Sequence, residues 1–155
     1  MTCRGARVAP APALVAALAA LVTLGGCGGS SLSAHDLRAD ATRSCTIGET
    51  RTNRITAPTS PAAGATFLRR GLAVLTPELD ALRSLHPPGG LASNYDAAVD
   101  AFGGEVNAIR ATFAQLGHGG DPLLRFPALA RLLAPLETRE NAAWQSLGIP
   151  ACVQR

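Results

Sequence analysis

Residues 95–116, YDAAVDAFGGEVNAIRATFAQL, decide the fold. Tyr95, Val99, Phe102, Val106, Ile109, Phe113 and Leu116 recur at alternating spacings of four and three over three heptads. A seam of that period is a helix packed against other helices. Ser93 is the expected N-cap, with Asp96 three positions on. Gly103 and Gly104 interrupt the seam at about 1 kcal/mol each relative to Ala. Either a neighbour packs close there or the helix bends. The run Gly117, His118, Gly119, Gly120 stops it.

Reading outward, Asp121 and Pro122 begin another helix, as a cap followed by proline at the first position. Its seam is Leu129, Leu133, Leu136, Glu140, Ala143 and Leu147. Pro127 could mark the start of the regular helix, and Pro135 should kink or break it. Gly148, Ile149 and Pro150 form a helix stop. On the other side, Leu68, Leu72, Leu75, Leu79 and Leu82 make a second seam, broadened by Phe67, Val74 and Leu85. Ser60 and Pro61 are its expected cap and first residue. Pro77 predicts a kink, and residues 86–90, HPPGG, end the helix. The first helix, over 34–53, is weaker: Leu37, Ala41, Cys45, Gly48 and Thr52 share a face of small residues behind a Ser33 cap. Four amphipathic helices with short loops predict an all-α, up-down-up-down four-helix bundle over 34–155.

The segment before the bundle reads differently. Arg4 and Arg7 precede an uncharged stretch, 11–24, APALVAALAALVTL. A basic start, a short apolar run and small residues at the end make a secretory signal. The run is shorter than the roughly 20 apolar residues needed to span a bilayer. Leu24, Gly25, Gly26 and Cys27 resemble the lipobox of bacterial lipoproteins. The resemblance covers only these first 27 residues. It implies a signal peptide of residues 1–26, cleavage before Cys27 and lipid on the Cys27 sulfur. Residues 27–33 then form a lipidated cysteine and flexible tether, reaching at most about 20 Å. The implied location is the cell membrane, lipid-anchored on the extracytoplasmic face.

Removing 26 of 155 residues leaves 129, enough for one domain with its own core. Arg4 and Arg7 go with them, so 12 of 14 basic residues remain against all 11 acids. That balance carries no electrostatic footprint for nucleic acid. Cys3 leaves with the signal and Cys27 takes the lipid. Cys45 and Cys152 remain as an even pair in an exported chain, which predicts a disulfide. If helix 4 ends beside the start of helix 1, residues 149–152 must climb along helix 1 as an extended strap to reach Cys45.

No catalytic constellation is present: there is no G-x-S-x-G elbow, no C-x-x-C-H, and Glu78 and Asp80 are two apart and so do not share a helix face. His35, His86 and Asp96 would meet at one pole of the bundle, a weak candidate ligand set without the i, i+3 or i, i+4 spacing of metal motifs. His118 falls at the other pole. Glu140 lies on an apolar seam, where a carboxylate either orients a core ligand, turns to water, or pairs with an Arg such as Arg43 or Arg110. The expectation is a non-enzymatic envelope module that needs no cofactor and binds the membrane through Cys27 and an envelope protein partner. The alternative is a small-ligand or metal-binding bundle using Glu140, or His35 and His86.

Overall fold

Ser33 is extended (φ −67°, ψ 159°), and its hydroxyl accepts the Asp36 N–H at 3.1 Å, which starts helix α1 (Ala34–Thr52) as expected. The computed structural model describes residues 31–153. Residues 1–26, Cys27 and residues 28–30 of the tether lie outside the described residues, as do 154 and 155. Among the described residues there are helices α1, α2 (Gly64–Arg83), α3 (Gly89–Gly117) and α4 (Pro122–Leu147), and no strand.

Two helix starts differ from the sequence expectation. Ser60 makes no side-chain capping bond; Pro61–Ala63 wind a 3-10 turn first, and α2 follows from Gly64. Ser93 lies inside α3, whose N-cap is Pro88 (φ −67°, ψ 148°), with Gly89 and Gly90 in the first turn. The extended proline puts the following chain on a helical path at once. The early start brings Leu91 onto the core, where it packs partly buried.

Pro127 does not mark the start of α4. Pro122 does, and the Asp121 carboxylate accepts the Leu123 N–H at 2.9 Å. α2 continues past Pro77, and α4 past Pro127 and Pro135. All three prolines are exposed, so the carbonyls that lose an N–H partner lie on the water side of their helices. α3 likewise continues through Gly103 and Gly104. A Cβ on Gly103 would stand 2.8 Å from Arg83 Nη2, and one on Gly104 would stand 3.1 Å from Leu136 Cδ2. Close approach of the neighbouring helices, rather than a break, accounts for the pair.

α4 ends as the sequence indicates. Gly148 is left-handed (φ 70°), its N–H reaches Gln145 O at 3.0 Å, and the Ile149 N–H reaches Trp144 O at 3.1 Å. These are the two bonds of a Schellman motif. The bridge between Cys45 and Cys152 is formed, with Cα atoms 5.2 Å apart. The strap, however, is short. Arg38 Nε donates to Leu147 O at 2.8 Å, so α4 ends beside the second turn of α1 rather than its first residue. Seven residues of helix, about 10 Å, then separate Arg38 from Cys45. A 3-10 turn, Pro150–Cys152, covers that distance without extending.

α1 packs on α2, α2 on α3, and α3 most extensively on α4, while the 3-10 turn at Pro150 holds α1 from the other side. The core forms where these meet: Leu37, Ala41, Leu79, Leu82, Tyr95, Val99, Phe102, Val106, Trp144, Leu147 and Ile149, together with the disulfide. Trp144 is the largest fully buried side chain. The whole core cluster falls between residues 32 and 153, so the described domain carries its own core. α1 has 19 residues against 29 in α3 and 26 in α4, so the helices beyond Thr52 continue without it.

Candidate functional site

A cavity of about 550 Å³ lies where α1 runs out. All four helices contribute to its wall. The last two turns of α1 supply Glu49 and Thr52, α2 supplies Leu75 and Glu78, and α3 supplies Phe102, Glu105 and Ile109. α4 supplies Leu133, Glu137, Glu140 and Asn141, and Cys152 completes the wall. Five of these twelve residues are glutamates and none is basic. Glu78 and Glu140 are buried, 6% and 5% exposed, whereas Glu49 and Glu137 are exposed. The buried pair therefore marks the deep side and the exposed pair the rim.

The deep carboxylates are held in place. Glu140 Oε1 accepts the Trp144 indole N–H at 2.8 Å, a bond between residues one turn apart on α4. Trp144 is in turn fixed edge-on against Tyr95, with ring centroids 5.6 Å apart and planes at 80°. The Tyr95 hydroxyl donates to Leu82 O at 2.7 Å. Burial, followed by the charge of Asp96, holds that hydroxyl proton well beyond the usual tyrosine range. A chain of aromatic contacts thus connects the C-terminal end of α2 to the Glu140 carboxylate. On the opposite side, a Cβ at Gly48 would overlap the Glu78 carboxylate, so glycine there lets α1 close over Glu78.

Glu140 is buried rather than turned out to water. Arg43 bonds Asp40 at 2.8 Å, and Arg110 bonds Asn107 at 2.8 Å. The histidines lie elsewhere. His35 is exposed, 3.5 Å from Asp36, whose carboxyl is held below the usual carboxylate range by the Ser33 hydroxyl first and His35 second. His86 is exposed, and its carbonyl accepts the Leu32 N–H at 2.8 Å. The start of α1 and the end of α2 are thus close, yet neither His35 nor His86 lines the cavity. Among the described residues no group of three or more His, Cys, Asp or Glu could hold a metal ion.

Sequence reasoning singled out Glu140 and missed its company. The signal was present. Glu49 follows Cys45 by four and precedes Thr52 by three; Glu78 follows Leu75 by three and precedes Leu82 by four. Glu105 stands likewise between Phe102 and Ile109, and Glu137 between Leu133 and Glu140. Each acid therefore shares a helix face with its seam. Trp144 was missed for a related reason: it sits four residues after Glu140, where the seam was drawn through Ala143 instead. Compared with known protein families, with curated proteins and with solved structures, the chain matches none.

Proposed function

We propose that this chain is a membrane-anchored envelope lipoprotein on the extracytoplasmic face, built as an up-down-up-down four-helix bundle and working as a non-enzymatic binding module. The cavity beside Glu140 is its ligand site. The ligand class is a small organic cation with an apolar portion. The observation that carries this reading is the wall of the cavity, where the described residues place five glutamates around an apolar side of Leu75, Phe102, Ile109 and Leu133. A volume of about 550 Å³ falls within the range of roughly 300–1,000 Å³ usual for small-molecule sites. The acids are spread around the space instead of converging on a point, which suits an ammonium on an apolar stem better than a bare ion.

The antiparallel order is supported by contacts between successive ends: Leu32 with His86, Leu82 with Tyr95, Arg38 with Leu147, and Gly64 against Phe126. Anchoring rests on the lipobox resemblance at Cys27. Two measurements test the reading. Changing Cys27 to Ala should release the protein from the membrane fraction; a variant that stays bound contradicts the lipid anchor. Thermal unfolding in a series of alkylammonium ions should show a rise in Tm with concentration, as expected for a ligand that binds the folded state alone. Glu140→Gln should remove most of that rise, and an unchanged rise in this variant contradicts the site.

A further inference from the structure

We infer that the outer surface of the first half of α4 is a second membrane contact, lying against a bilayer with anionic headgroups. Large apolar side chains are mostly inside this bundle, and the exceptions are not scattered. Of the four exposed large hydrophobics among the described residues, three lie here: Leu123 at 67%, Leu124 at 69% and Leu132 at 58%. Single exposed leucines are ordinary, but here, at about 100° per residue, Leu124 faces outward near the middle of the exposed arc of α4, with Leu123 and Leu132 on its two flanks, and together they make a broad apolar face.

The charges on the same stretch choose the partner. Between Asp121 and Glu137 the helix carries two ionised side chains, Arg125 and Arg131, and both are exposed. Asp121 itself is spent on the Leu123 N–H. A surface of leucine and arginine without acids complements anionic headgroups over an acyl layer, since arginine keeps its guanidinium at headgroup level while its stem and the leucines enter the apolar layer. An apolar groove of about 430 Å³, with Leu123 and Phe126 on its wall, adjoins the patch and enlarges the apolar area at that end of the helix. Contact is in the plane of the membrane, because among the described residues no helix is long and apolar enough to cross one. The inference is independent of any lipid on Cys27. Together the two contacts would hold the bundle on its side rather than let it swing on its tether.

Vesicle co-sedimentation of residues 31–155, which contain the whole core and the disulfide but not Cys27, isolates this contact. The fragment should sediment with vesicles of equal parts phosphatidylglycerol and phosphatidylcholine, and much less with phosphatidylcholine alone. Binding should fall in about 1 M salt, where the Debye length is about 3 Å. The triple variant L123S/L124S/L132S should lose about a hundredfold in partitioning, and R125Q/R131Q about thirtyfold. All five positions are exposed, so helical content by circular dichroism should be unchanged and a folding defect is distinguishable from lost binding. A fragment that stays in the supernatant with anionic vesicles overturns the inference. So does a triple variant that binds as well as the parent. Self-association abolished by the triple variant, without vesicle binding, would assign the patch to a second copy of the chain and overturn it equally.

Discussion

Removing the Cys45–Cys152 bridge, by changing both residues to Ala, should cost this domain most of its stability. The bridge spans 107 positions. The chain-entropy treatment of a loop of that length gives about 4.8 kcal/mol at 25 °C. Both sulfurs are fully buried, and deleting them adds about 1 kcal/mol of lost packing. The sum is a large part of the 5–15 kcal/mol typical of a domain. The architecture concentrates the loss in α1, whose buried side chains are Leu37, Ala41 and Cys45, with Gly48 beside them. α1 packs on α2 and on the short turn carrying Cys152, and bonds the end of α4 through Arg38, so cutting the bridge loosens one of its main contacts. Urea unfolding followed by circular dichroism measures the effect. With a slope of about 1.5 kcal/mol per molar, the midpoint should fall by about 4 M. Amide exchange should show α1 opening before α3 and α4. A double variant within about 1.5 kcal/mol of the parent, or one in which α1 exchanges no faster than α3, would mean that the bridge does not hold α1 in place.

Three smaller changes follow from the same packing. Gly48→Ala puts a methyl group on the Glu78 carboxylate and should destabilise the domain by about 1–3 kcal/mol in the same urea assay. Gly71→Ala, also inside a helix but with no atom within 4 Å of the new Cβ, should stabilise it by about 0.5–1 kcal/mol. Tyr95→Phe loses the bond to Leu82 O, at a cost of about 1 kcal/mol at neutral pH. Burial, then Asp96, raises the Tyr95 pKa above its unfolded value near 10.0, so the folded state keeps a proton that the unfolded state releases. That part of the stability is fully present below about pH 10 and is lost as pH rises further, and the slope should be shallower in Tyr95→Phe across unfolding curves from pH 9 upward.

The seams were legible because each helix repeats its apolar residues at helical spacing: Leu37, Ala41, Cys45 and Gly48 are buried in α1, Leu79 and Leu82 in α2, Tyr95, Val99, Phe102 and Val106 in α3, and Leu129 and Leu147 in α4. Helix stops read well where glycine takes a left-handed conformation, as at Gly148 and Gly119. Helix starts read less well. Ser93 has the side chain of a cap, but the backbone was already helical from Gly89, because Pro88 sets an extended turn and Leu91 gains core contact by joining the helix early. Pro127 reads from the sequence as a possible helix start, and Pro77 and Pro135 as kinks; the helices run on through all three, each on the exposed side, a placement that sequence spacing alone does not weigh. The candidate site was legible only at Glu140. The cavity exists because α1 is shorter than α3 and α4, and a gap between helices of unequal length is a tertiary consequence that no single seam records.

If the cavity beside Glu140 binds a small organic cation, as proposed, the single tryptophan of the chain lies where it would sense the ligand. The Trp144 indole N–H bonds the Glu140 carboxylate, so it gives one resolvable proton resonance next to the site. Titrating butylammonium into ¹⁵N-labelled protein should move that resonance saturably, while the Tyr95→Phe variant, which keeps the carboxylate, should still respond and Glu140→Gln should not. An indole resonance that stays fixed through the titration, or one that moves equally in Glu140→Gln, would rule out cation binding at Glu140.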